Sequence, residues 1–157
     1  MSFDLILQCF ESGEPEPADH ESVLNVLHKH CKEPPDNFGY YNVNFQDGSS
    51  VEFSAKGLQS SESFTGCLFH IRGASKELIT FVYEVAVAGD MVIFNAQGAD
   101  EPNNPLALLI ESRQSIDLPE GVAANPVLCD SPSHLAELIG FSLEGWKDYR
   151  DSVVRKL

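Results

Sequence analysis

A chain of 157 residues, 43% of them hydrophobic, is long enough to form one domain whose core needs neither metal nor disulfide support, and it is too apolar for general disorder. Its net charge of -14 repels nucleic-acid phosphates and anionic membrane surfaces, so neither is an expected partner, and it attracts basic proteins. No apolar run reaches transmembrane length, and MSFDLILQCF carries Asp4 but none of the basic residues of a secretory signal, so a cytoplasmic protein is expected.

Residues 3 to 10 alternate as a strand. Leu5, Leu7 and Cys9 lie on one side, and Asp4, Ile6, Gln8 and Phe10 on the other. Both sides are largely apolar, which predicts a central strand. ESGEPEPADHE follows, with Glu11, Glu14, Glu16, Asp19 and Glu21. Its two prolines disfavour helix, so it reads as a solvated connection or a partner-facing acidic loop. Asp19 is placed to cap a helix over 20–32, with Val23, Leu24, Leu27, His30 and Cys31 on one face. Pro34 and Pro35 stop that helix.

Tyr41, Val43 and Phe45 then alternate with Tyr40, Asn42 and Asn44. Asp47-Gly48 is a hairpin turn, and Val51 and Phe53 resume the pattern. A polar loop at 60–63 leads to the strand TGCLFHIRG. Ser75 opens a second helix with Leu78, Ile79, Val82, Val85 and Ala86 inward, Phe81, Tyr83 and Val87 widening the face, and Gly89 at its C-cap. MVIFN is a strand, and AQGADEPNNP is a loop containing Asp100 and Glu101. Residues 106–113 fit either a strand or a short helix. Ser131 and Pro132 open a helix with Leu135, Leu138 and Ile139 inward and Gly140 at its close. Ser142 opens a last helix with Trp146 and Tyr149 on its stripe. The order predicts one α+β domain over 1–157, an antiparallel or mixed sheet with helices packed on it and two C-terminal helices over 130–157. Part of that order overlaps the ferredoxin-like split β-α-β pattern.

Motifs that carry chemistry find little support. The acidic run lacks the spacing of a calcium loop, and Cys9, Cys31, Cys67 and Cys129 form no CxxC pair. His28 and His30 diverge on a helix, and Cys67 and His70 point to opposite faces of a strand. His134 near Asp130 is ordinary at a helix start. Glu84, on an otherwise apolar helix, either marks a solvent-facing edge or needs Arg72 or Arg113 as its partner. No glycine-rich phosphate loop is present, so no cofactor or metal is expected.

MSFDLILQCFESGEP, ELITFVYEVAVAGD and MVIFN together have a layout that resembles small bacterial α+β proteins of the polymorphic-toxin immunity type, over roughly the first 120 residues. The resemblance implies a cytoplasmic protein that binds a cognate toxin and blocks its active site. The sequence therefore favours a non-catalytic protein-binding module. Its candidate contacts are Glu11, Glu14, Glu16, Asp19, Glu21, Asp47, Asp100 and Glu101, with Tyr40 as an aromatic anchor. Two alternatives stay open. One is a small hydrolase or transferase with a His/carboxylate site assembled in space. The other is a structural subunit that forms a homodimer through its C-terminal helix.

Overall fold

The computed structural model describes residues 3–59, 64–73 and 75–140. Among them the chain forms β1 (Phe3–Gln8), β2 (Phe10–Glu11), β3 (Glu14–Pro15), α1 (His20–His28), β4 (Tyr40–Asn44), β5 (Ser50–Ser54), β6 (Gly66–Ile71) and α2 (Lys76–Gly89). These are followed by β7 (Val92–Asn95), β8 (Ala107–Leu109), α3 (Gln114–Asp117), β9 (Val127–Leu128) and α4 (132–140). The fold is α+β with a mixed sheet. The polar loop at 60–63 and the predicted last helix with Trp146 and Tyr149 lie outside the described residues.

Seven strands make one sheet in the order β4-β5-β6-β1-β7-β8-β9. All pairings are antiparallel except β8 with β9. β1 is central, as its apolar pattern predicts. It sits between β6 and β7, antiparallel to both, so the unit β6-α2-β7 is a β-α-β split by an inserted strand.

The inner face of the sheet is where the core lies. Leu5, Leu7, Tyr41, Val43, Val51, Phe53, Cys67, Phe69, Ile71 and Ile93 are buried there by strict alternation. α1 contributes Val23, Val26 and Leu27, and α2 contributes Leu78, Ile79, Phe81, Val82, Val85 and Ala86. Phe81 is the hub. Its ring centre lies 5.7 Å from Phe45, 6.0 Å from Phe53, 5.8 Å from Phe69 and 5.3 Å from His30. Edge-on contacts of this kind add about 0.5–1.5 kcal/mol per pair beyond the area buried.

Several boundaries differ from the pattern. α1 stops at His28 rather than residue 32. His30 N–H and Cys31 N–H both donate to the Leu27 carbonyl, at 3.0 and 2.8 Å, and this turn brings Cys31 into the core ahead of the two prolines. His30 therefore leaves the helix, and its exposed ring packs on Phe45 and Phe81. Val87 is 49% exposed and does not extend the buried face of α2. The left-handed residue that ends α2 is Asp90 (φ 53°), not Gly89. Gly89 instead sits in a close approach, where a Cβ would lie 2.5 Å from the flexible end of Met91 and 3.2 Å from Val23 Cγ2.

The segment 106–113 resolves as the strand β8, and α3 and β9 follow where no element was predicted. Ser131 caps α4 as expected, its Oγ accepting from His134 N–H at 3.1 Å. Leu135 and Ile139 are buried beneath it, and Leu138 is half-buried.

If Phe81 holds this layer together, Phe81→Ala costs about 3–5 kcal/mol, whereas Val87→Ala costs less than about 0.5 kcal/mol. Urea unfolding of both variants measures this, and similar losses for the two would contradict the packing described.

Candidate protein-binding surfaces

ESGEPEPADHE is neither a connection without structure nor a loose loop. Its first half is a two-residue hairpin, β2 paired with β3, turned by Ser12 and Gly13 with φ of 51° and 82°. Positive φ at both central residues matches the twist of paired strands. The turn is clamped from outside: Ser12 N–H donates to Asp117 Oδ1 at 3.1 Å, and Gly13 N–H to the Asp117 carbonyl at 2.9 Å. The register places Glu11 opposite Glu14, and Glu16 N–H donates to the Cys9 carbonyl at 3.0 Å. Directly paired residues share a face, so Glu11, Glu14 and Glu16 all point the same way, while Phe10 points the other way and packs edge-on against Phe94 at 6.0 Å.

Helix α1 accounts for the other two acids of the run. Asp19 is the N-cap, its carboxylate accepting from Ser22 N–H at 3.2 Å and Ser22 Oγ–H at 2.7 Å, and Glu21 lies in the first turn, where the helix dipole favours it. No such local reason exists for Glu11, Glu14 and Glu16. Like charges on facing strand positions oppose folding. Partial desolvation and the neighbouring Glu11 raise the Glu16 carboxyl above its ordinary value.

Glu11, Glu16 and Asp19 line a groove of about 430 Å³ with Asp90 and Asp117. Among the described residues its one cation is Arg113, already bonded to Asp90 at 2.7 Å and to Glu111 at 2.9 Å. Gln114, 5% exposed, ties this corner together: its Oε1 accepts from Ile110 and Glu111 N–H, and its Nε2 donates to Asp90 at 3.0 Å.

The remaining candidates are elsewhere. Asp47 lies in the β4–β5 turn, beyond the end of the sheet where β1 begins; the acidic hairpin follows the end where β1 stops. The Asp47 carboxylate accepts from Ser49 N–H at 3.0 Å and Ser49 Oγ–H at 2.6 Å. Asp100 (φ 57°) binds Ala124 N–H at 2.8 Å and Asn125 N–H at 3.0 Å, fastening its loop to the chain before β9. Glu101 pairs with Asn104 in the same loop.

Tyr40 stands on the outer face of the sheet, opposite the core, as its alternation with Tyr41 predicts. That face is open. Ile6 is 42% exposed, so the second side of β1 is not buried as its apolar character suggests. His70 Nδ1 lies 2.8 Å from Asp4 Oδ1 here, a contact made by cross-strand partners that sequence spacing does not reveal. A carboxylate orients an imidazole in this way in acid–base catalysis, but this pair stands on a half-exposed sheet face with the Tyr40 ring 5.6 Å from His70. Cys67 faces the core, opposite His70, as predicted.

The four cysteines are buried and free. Burial pushes the Cys67 thiol far up and raises Cys129 to about 11; burial, then Asp90 and Glu16, raises Cys9. Thiols so held are poor nucleophiles at neutral pH. Glu84 is paired with neither Arg72 nor Arg113 but lies 4.0 Å from Lys29, on the solvent-facing edge of α2. His134 lies 3.1 Å from Asp130 at the start of α4. Among the described residues no group of three or more His, Cys, Asp or Glu is arranged to hold a metal ion, and no helix is long and apolar enough to cross a membrane.

Three exposed aspartates set the acid response. Hydrogen bonds from Ser22 hold Asp19 below its ordinary 3.8, those from Tyr40 and Phe38 N–H hold Asp36 below it, and those from Ser49 hold Asp47 below it. A depressed folded-state value adds stability above the unfolded value and loses it as pH falls through the folded one. The urea midpoint should therefore fall as pH drops below about 3.8, and Asp36→Asn should remove part of that fall. Glu16 acts with the opposite sign. A midpoint that rises throughout acidification would contradict this assignment.

No protein-family model matches the chain, and no curated protein or solved structure matches it either.

Proposed function

We propose that this protein is a non-catalytic binding module for a basic protein partner, which its acidic hairpin engages. The observation that carries the reading is the shared face of Glu11, Glu14 and Glu16 on a clamped turn. Three carboxylates held on one side of a hairpin repel one another and serve no local structure. A cationic partner relieves that repulsion and gains a field that speeds encounter. The groove beside them adds Asp19, Asp90 and Asp117, with Arg113 already engaged.

An immunity-type inhibitor of a bacterial toxin is the specific form of this reading. It rests on the resemblance in layout and on the fit between a rigid acidic hairpin and a cationic substrate groove. Four free cysteines accord with a reducing cytoplasm.

The tagged full chain is tested by capture from its native cell extract at low and moderate salt, beside a folded variant carrying Glu11→Lys, Glu14→Lys and Glu16→Lys. Asp19 is left intact because it caps α1. A stoichiometric basic protein retained at moderate salt by the native chain alone supports the reading. With that partner purified, the variant should associate at least about tenfold more slowly at low salt. Equal capture and equal rates would remove the hairpin from the interface.

A further inference from the structure

We propose that the outer face of the sheet is a self-association surface, covered in solution by the same face of a second copy of this chain. The inference stands apart from the acidic hairpin, which follows the far end of β1.

Register lines up two rows across this face. Ile6 pairs with Phe94 on one side and Leu68 on the other, Leu68 with Ser54, and Ser54 with Tyr40. This row of four apolar or aromatic side chains, interrupted by one serine, crosses β7, β1, β6, β5 and β4. The next row runs Asp4, His70, Glu52, Asn42. In it Asp4 lies 2.8 Å from His70, and Glu52 lies 3.1 Å from Arg72.

Charge identifies the occupant. The chain carries -14, yet here Glu52 is paired with Arg72 and Asp4 is hydrogen-bonded to His70. A basic partner gains little from a face whose acids are already matched. A second copy, repelled by the rest of the molecule, meets least opposition there. A two-fold interface places the same patch on both sides, so the patch must complement itself. Paired acids and bases beside an apolar row meet that condition and leave no charge stranded on burial. A pleated face also suits sheet-on-sheet packing, which brings two faces to about 10 Å with strands roughly 30° apart.

Sedimentation velocity of the full chain over a wide concentration range, at low and high salt, tests this. The expected result is a reversible dimer that tightens as salt rises, because screening weakens the mutual repulsion of two acidic copies. Ile6→Asp should render the chain monomeric. Arg72 is 70% exposed at its side chain, so Arg72→Glu spares the fold; it should raise the dimer dissociation constant at least about tenfold at low salt. Circular dichroism confirms that both variants fold, and if Ile6→Asp does not, Arg72→Glu decides. A chain monomeric under all conditions, or a dimer indifferent to Arg72→Glu, would overturn the proposal.

Discussion

The fold depends on Phe81. It projects from the middle of α2 into a nest of Phe45, Phe53 and Phe69 supplied by the β4–β5 turn, β5 and β6, with His30 closing the side. These contacts fix α2 on one face of the sheet, and α1 docks beside it through Val23, Val26 and Leu27. The largest aromatic cluster therefore lies on one side of the sheet. Phe10, Phe94 and Leu118 build a smaller second cluster around Val92, Ala107 and Leu109, which covers the β7–β8 part of the outer face and leaves Ile6, the neighbour of Phe94, 42% exposed.

The same one-sidedness separates two kinds of surface. One end of the sheet carries the clamped acidic hairpin, where like charges are held together. The outer face carries paired charges and an apolar row. On the two proposals above, the first would draw a basic partner and the second would meet its own copy. The cysteines are buried thiols, and the Asp4–His70 pair stands on a half-exposed sheet face.

Much of the fold was legible in the sequence because it is governed by short-range rules. Alternation in Tyr41, Val43, Val51, Phe53, Phe69 and Ile71 marked the inner face, Asp47-Gly48 marked its turn, and Asp19, Ser75 and Ser131 marked helix starts. The hairpin at Ser12-Gly13 was missed because its strands are two residues long and its register is held by Asp117, more than a hundred positions away. The Asp4–His70 and Arg113–Asp90 contacts are equally remote in sequence, 66 and 23 positions apart. Acidic residues near a helix start were easy to see. Which of them serve the helix and which share a hairpin face could be told only from pairing.

The central claim is that the hairpin holds its carboxylates together against their own repulsion. Side-chain carboxyl titration by nuclear magnetic resonance, on the native chain and on Glu11→Gln, measures this most directly. The account predicts that Glu16 titrates above the ordinary 4.5 in the native chain and moves down when Glu11 is neutralised. A Glu16 that titrates at its ordinary value in both would mean that the carboxylates are not crowded, and the hairpin would offer a partner no concentrated field.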